Sequence, residues 1–203
     1  MSSTNPSERR GFETTRQALL SAAQQAFSSR GYRDVNVRAI TKEAGVSNAL
    51  VNRYFGTKEK LFEEALTNSL EASSILELPR TGFGEAMVEL LLRGPRSGAS
   101  PLAMIMLASG DPRARAIAQR LLIDVVYHPL ARWLGSDLGK LRAARFMIIS
   151  AGFVIYSQIY TLDMLNPIPH PELRSWLARE LQSLVDEGEA DEGRETHHSE
   201  FDL

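Results

Sequence analysis

The sequence predicts an all-α protein of about nine helices. Period-2 alternation of apolar and polar residues, the mark of a half-buried strand, is rare along the chain. Turn residues instead punctuate runs of helical length. Several of those runs open on a capping residue, as at Asn36, Ser47 and Thr57. At 43% apolar and 24% charged, 203 residues are enough to bury a substantial core.

Residues 1–11 are polar and are expected to form an unstructured arm. The first helix is expected from about Thr14 to Arg30, with Leu19, Ala23, Ala26 and Phe27 on one face and Gly31 as its stop. Asn36 caps a second helix that ends near Gly45. Ser47 caps a third, Asn48 to Phe55, closed by Gly56. Thr57 caps a longer fourth helix reaching about Ile75. Pro79 and Gly82 mark a loop, and a fifth helix follows from Phe83 to Arg93. Ser100-Pro101 and Asp111-Pro112 each place proline at a favoured first helical position. They open a short sixth helix and a longer seventh reaching Trp133, which His128-Pro129 should kink. The eighth helix is expected from Lys140 to Met164, and residues 166–171 form a proline-rich linker. The ninth runs from Pro171 to Glu187, and an acidic tail over 188–203 is expected to be unstructured. Functionally the chain divides into residues 12–62 and 63–187, the two sharing a continuous fourth helix.

The net charge of -2 hides an asymmetry. Residues 1–62 carry ten Lys/Arg against five Asp/Glu, residues 63–185 balance, and residues 186–203 carry eight acids and one Arg. The basic segment coincides with the most distinctive pattern in the chain, N-V-R-A-I-T-K-E-A-G-V-S-N-A-L-V-N-R-Y-F-G-T-K-E-K-L (36–61). Two short helices meet there at a glycine. Ile40, Ala44, Val46, Val51 and Tyr54 supply small or apolar contacts at the spacing of a helix-turn-helix. Gly45 allows a positive φ at the turn. Ser47, Asn48, Ala49, Asn52 and Arg53 then face outward from the third helix, the one expected in a DNA major groove. Asn and Arg can make paired hydrogen bonds to adenine and guanine, and Ala49 permits close approach. Arg38, Thr57, Lys58 and the free N–H groups opening the fourth helix are expected at phosphates. Tyr54 belongs to the seam and to the DNA-facing set alike. The competing reading is a plain helical hairpin with Asn52 and Arg53 merely solvated.

The stretches T-R-Q-A-L-L-S-A-A-Q-Q-A-F-S-S-R-G-Y (15–32), V-R-A-I-T-K-E-A-G-V-S (37–47) and L-V-N-R-Y-F-G-T-K-E-K-L-F (50–62) resemble, in order and spacing, the TetR/AcrR family of transcriptional regulators. Beyond residue 62 the likeness rests on length, helix pattern and D-P-R-A-R-A from Asp111. Two positions depart from the family pattern. Thr41 replaces a small apolar residue, and Asn52 stands where many members have an aromatic. The resemblance implies a homodimer whose two N-terminal domains occupy successive major grooves of a near-palindromic double-stranded operator. It also implies a C-terminal domain whose small-molecule ligand changes their spacing, usually to relieve repression.

The eighth helix carries a stripe of Ala144, Ile148, Ala151, Gly152, Ile155 and Ile159, whose small centre suits close packing between two subunits. On the ninth, Leu173, Trp176, Leu177, Leu181 and Leu184 are assigned to the same interface, with the subunit's own core as the alternative. Candidate ligand contacts are Met87, Leu91, Met104, Met106, Tyr127, His128, Trp133, Phe153, Tyr156 and Gln158, which suggest an apolar or aromatic ligand. Ordinary core packing competes for each of them. No cofactor or metal site is expected: there is no cysteine, and His197 and His198 read as solvent-exposed. No nucleophile, zinc or phosphate-loop motif points to an enzyme. An architectural or protein-interaction module without operator specificity is the alternative function, and repressor and activator are not separable. The N-terminus has no apolar signal segment and no run spans a bilayer, so a cytoplasmic protein is expected.

Overall fold

The computed structural model describes residues 6–70, 72–94, 98–135, 138–166 and 168–199, with side chains from residue 11 to 188 apart from residue 72. It has no strand among the described residues. The packing forms two compact units, residues 1–70 with 95–121 and residues 71–94 with 122–203.

The first unit is built around α1 (Pro6–Asp34), which packs against α4 (Lys58–Ser69) and α7 (Pro101–Ala108). Leu19, Ala23, Ala26 and Phe27 form the buried face, joined by Leu20. Phe27, Tyr32 and Phe62 lock the end of α1 to α4, with ring centroids 5.1–5.9 Å apart. Gly31 interrupts α1 at φ 78°, and a Cβ there would lie 2.9 Å from Leu107 Cβ. Both the backbone twist and the approach of α7 therefore require glycine. α2 (Val37–Glu43), α3 (Asn48–Tyr54) and α8 (Pro112–Leu121) complete the unit. α8 is tied to α4 by Arg113–Glu59 at 3.4 Å and Arg120–Glu63 at 2.9 Å.

The second unit holds α5 (Ala72–Leu76), α6 (Phe83–Arg93), α9 (His128–Trp133), α10 (Gly139–Val154) and α11 (Pro171–Ser199). Its core gathers Phe83, Met87 and Val88 of α6, Leu130 of α9, Phe146 of α10 and the inward face of α11. α6 and α11 come very close. A Cβ on Gly84 would sit 1.9 Å from the Ala178 carbonyl oxygen. The freed Gly84 N–H donates to Gln182 Oε1 at 3.1 Å, and Gln182 Nε2 donates to the Arg80 carbonyl. Arg142 is almost wholly buried, and it donates to the Leu134 and Glu187 carbonyls at 3.2 and 3.1 Å. One charged side chain thus closes the end of α9 and anchors α11.

If residues 112–133 are counted as one helix and the single turn α5 is set aside, the described residues carry the nine helices expected. Their ends differ in places. α1 begins at Pro6, inside the expected arm. The fourth helix does not run on to Ile75: α4 stops at Ser69 and Leu70 is extended. Thr67, Asn68 and Ser69 each donate a side-chain hydrogen bond to the carbonyl four residues back, which competes with continuation of the ladder. The kink expected at His128-Pro129 takes the form of a π-helical stretch, Leu122–Tyr127. Pro129 has no N–H for the preceding turn and its ring crowds a carbonyl there, and the wider turn relieves both. α10 ends at Val154 and passes through a second π stretch, Ile155–Ile159, so Met164 falls in a 3-10 turn instead. α11 does not end at Glu187. It continues through Ser199, so the stretch 188–199 of the expected tail is helical. Residues 200–203 and the side chains of His197 and His198 lie outside the described residues.

Gly84→Ala should force α6 from α11 and lower stability to urea by about 1–3 kcal/mol; unchanged stability would contradict that packing. Burial, and after it the carboxylates of Glu59 and Asp111, pushes the Tyr32 phenol from 10.0 up to about 12. The folded chain thus favours the neutral phenol. That contribution is whole below pH 10 and is lost as pH rises through about 12. Spectrophotometric titration should show a late-ionising phenol that Tyr32→Phe removes. Ionisation of all tyrosines near their ordinary value would contradict the burial.

Candidate nucleic-acid interface

The helix-turn-helix forms from caps and one glycine. Asn36 opens α2 by accepting the Arg38 N–H on Oδ1 at 2.9 Å. The turn that follows closes with the Val46 N–H on the Thr41 carbonyl at 2.9 Å, and Gly45 sits at φ 69°. Ser47 holds the extended N-cap conformation of α3 without a side-chain capping bond. The seam between α2 and α3 buries Ile40, Thr41 and Val51.

Of the nine residues expected at DNA, Arg38, Ser47, Asn48, Ala49, Asn52, Arg53 and Thr57 are exposed, while Tyr54 and Lys58 are half-buried. Tyr54 is wedged between Phe12 and Phe55, with ring centroids 4.5 and 6.2 Å away. The Arg16 guanidinium lies 5.4 Å from the Phe55 ring centroid and pairs with Glu64. α1 therefore holds the C-terminal end of α3 in place. Nothing in the local sequence marks Phe12 for this role, because its partner lies 42 positions away and no local pattern links them.

The start of α4 differs from expectation in its details. The Lys60 N–H is taken by Thr57 Oγ1 at 3.2 Å. The Glu59 carboxyl is held below the ordinary range chiefly by its own backbone N–H, and Thr57, Arg113 and Tyr32 bond to it as well. Two N–H groups expected to be free are therefore occupied, and the Thr57 hydroxyl is engaged. Lys58 Nζ lies 4.4 Å over the Tyr32 ring. Burial lowers its pKa, against the opposing pull of Asp111, Glu59 and Asp34.

The other candidate residues separate. Leu177, Leu181 and Leu184, assigned from sequence to a dimer surface, are 2%, 0% and 0% exposed in their own subunit's core, where α6 and α10 pack against α11. The heptad-like spacing of α11 is the spacing of that internal contact. Leu173 packs half-buried against the same core. Ala144, Ala151, Gly152, Ile155 and Ile159 are half-buried. Ile148 is 73% exposed and Trp176 44%. A Cβ on Gly152 would meet nothing within 4 Å. Of the ligand candidates, Met104 and Met106 lie in the first unit and the remaining eight in the second. Met87 and Phe153 are core residues, Leu91, Tyr127 and Trp133 pack half-buried against the same core, and His128, Tyr156 and Gln158 are exposed. A groove of about 480 Å³ in the second unit is lined by Arg80, Glu85, Arg179, Gln182 and their neighbours, with none of those ten residues. Among the described residues no helix is long and apolar enough to cross a membrane, and no three His, Cys, Asp or Glu are placed to hold a metal ion.

Residues 19–65 match the family model for bacterial regulatory proteins of the tetR family. Residues 81–185 match that for the tetracyclin repressor-like C-terminal domain. The HTH-type transcriptional regulator HbdR of Aromatoleum sp. (strain CIB) is 37% identical over 68 residues, 34% of this chain and 29% of that protein. The HTH-type transcriptional regulator BetI of Brucella anthropi is 50% identical over 46 residues, 23% of this chain and 24% of that protein. These alignments span less than a third of either curated relative. A TetR-family regulator from Streptomyces coelicolor A3 shares the fold at TM-score 0.55 and 26% identity, over 91% of this chain and 99% of that one. The fatty acid degradation regulator FadR from Bacillus halodurans does so at TM-score 0.57 and 17% identity, over 91% and 97%. A transcriptional regulator from Saccharomonospora viridis in complex with choline does so at TM-score 0.53 and 19% identity, over 84% and 95%. With both of its halves matched in chain order, the protein belongs to the TetR family of transcriptional regulators and carries that family's DNA-binding helix-turn-helix.

Proposed function

We propose that this regulator is a repressor that grips a near-palindromic operator as a homodimer and is released by a small apolar or aromatic ligand. The observation that carries the DNA contact is the division of α3. Val51 is buried, while Ser47, Asn48, Ala49, Asn52 and Arg53 are exposed on the same two turns. Asn52 and Arg53 are side chains suited to base edges, and Arg38 is suited to a phosphate. Exposed apolar residues of the second unit support pairing with a second copy. Ile148, Tyr160, Met164 and Ile168 are all more than half exposed, large apolar side chains that a second copy could cover.

The ligand reading draws on the family. One protein of this fold was solved in complex with choline, and another is named for fatty acid degradation. Ligand and operator must then weaken each other's binding by the same factor.

Binding to DNA flanking the gene, followed by anisotropy against scrambled DNA of equal length, tests the operator contact. Asn52→Ala and Arg53→Ala should each weaken selective binding about 10- to 100-fold. Equal affinity for both DNAs would instead favour the architectural module. Gly152→Arg should convert the dimer to monomer in sedimentation velocity; a variant that stays dimeric would remove α10 from the interface.

A further inference from the structure

We propose that Thr41 sets base specificity from outside the groove by fixing which edge of Asn48 faces the DNA. The inference rests on the reading of α3 as the groove helix. Thr41 is 3% exposed and lies on α2, and its hydroxyl donates to Oδ1 of Asn48, the first residue of α3. The hydroxyl has one proton and two oxygens within reach, since the Arg38 carbonyl is 3.0 Å away. Oδ1 carries no hydrogen, so two oxygens this close need the hydroxyl's proton between them, and the proton serves Asn48. The Arg38 carbonyl keeps the N–H of the helix ladder.

An unrestrained Asn is ambidextrous, offering one acceptor and two donors, and it reads adenine by turning both atoms to the same base. Here the bond draws Oδ1 toward the α2–α3 seam. Nδ2 and its two hydrogens are left on the exposed side of Asn48. A donor edge matches acceptors, and in the major groove guanine offers two, N7 and O6, and thymine one, O4, whereas adenine sets its N6 donor beside N7 and opposes a donor edge there. The base facing Asn48 is then guanine or thymine, in preference to adenine.

Selection from a randomised duplex pool, run with wild type, Asn48→Ala, Thr41→Val and Thr41→Ser, tests this. Wild type should enrich guanine or thymine at one position per half-site, and Asn48→Ala should abolish that preference. Thr41→Val should cut it roughly tenfold and admit adenine there, other positions being kept, while Thr41→Ser restores it. Retained selection at the other positions also shows that Thr41→Val is folded. Adenine at the Asn48-dependent position in wild type would overturn the proposal, since its paired recognition at N6 and N7 turns Oδ1 to the base. So would an unchanged preference in Thr41→Val, or an Asn48→Ala that weakens all sequences alike as loss of a phosphate contact does. A pool from which wild type enriches no sequence would remove the operator reading itself, and this inference with it.

Discussion

Val51 packs inward against the α2 seam, and the 3.6-residue period then turns Ala49, Asn52 and Arg53 away from it, while Asn48, three residues before Val51, sits at the edge of the seam where Thr41 reaches it. Everything proposed for this protein at DNA depends on that one buried contact. A helix of seven residues is too short to be stable alone, so tertiary packing must hold it. Ile40 and Thr41 supply the inner side, and Phe12, packed on Tyr54, supports the far end. The aromatic cluster of Phe27, Tyr32 and Phe62 fixes α4 to the same central helix. The polar residues of α3 are thus presented by a rigid frame, which lowers the entropy lost when they bind.

In the second unit, polar groups at helix contacts do comparable work. Gly84 lets α6 reach α11, and Gln182 takes the Gly84 N–H, left without a partner in the first turn of α6, and donates to the Arg80 carbonyl. Arg142 does the same for the carbonyls of Leu134 and Glu187. The two π-helical stretches lie in this unit as well. Such turns widen a helix and shift the side chains that follow. They hold Tyr127, Tyr156 and Gln158, three of the candidate ligand contacts.

What was legible in the sequence was local. Asn36, Ser47 and Thr57 stand at helix starts, Gly31 and Gly45 have positive φ, and Leu19, Ala23, Ala26 and Phe27 are buried. Each follows from neighbours within about a turn. Partner identity over longer separations was not legible. The periodicity of Leu177, Leu181 and Leu184 gives an apolar face without saying whether the subunit's own helices or a second subunit covers it, and its own helices do. The same limit scattered the ligand candidates, of which Met104 and Met106 belong to a different unit from the rest. Thr41 was visible as a departure from the family pattern. Its hydrogen bond across the turn to Asn48 was not, because only the folded turn brings them together.

Dimethyl sulfate interference on the DNA flanking the gene tests most directly whether α3 occupies the major groove. The reagent methylates guanine N7 in the major groove and adenine N3 in the minor groove, where the two edges are chemically distinct. Interference at guanine N7 in two patches about one or two helical turns apart, weakened when Asn52 and Arg53 are replaced, is the predicted result. Interference confined to adenine N3, or indifferent to those two residues, would contradict the assignment of α3 to the groove.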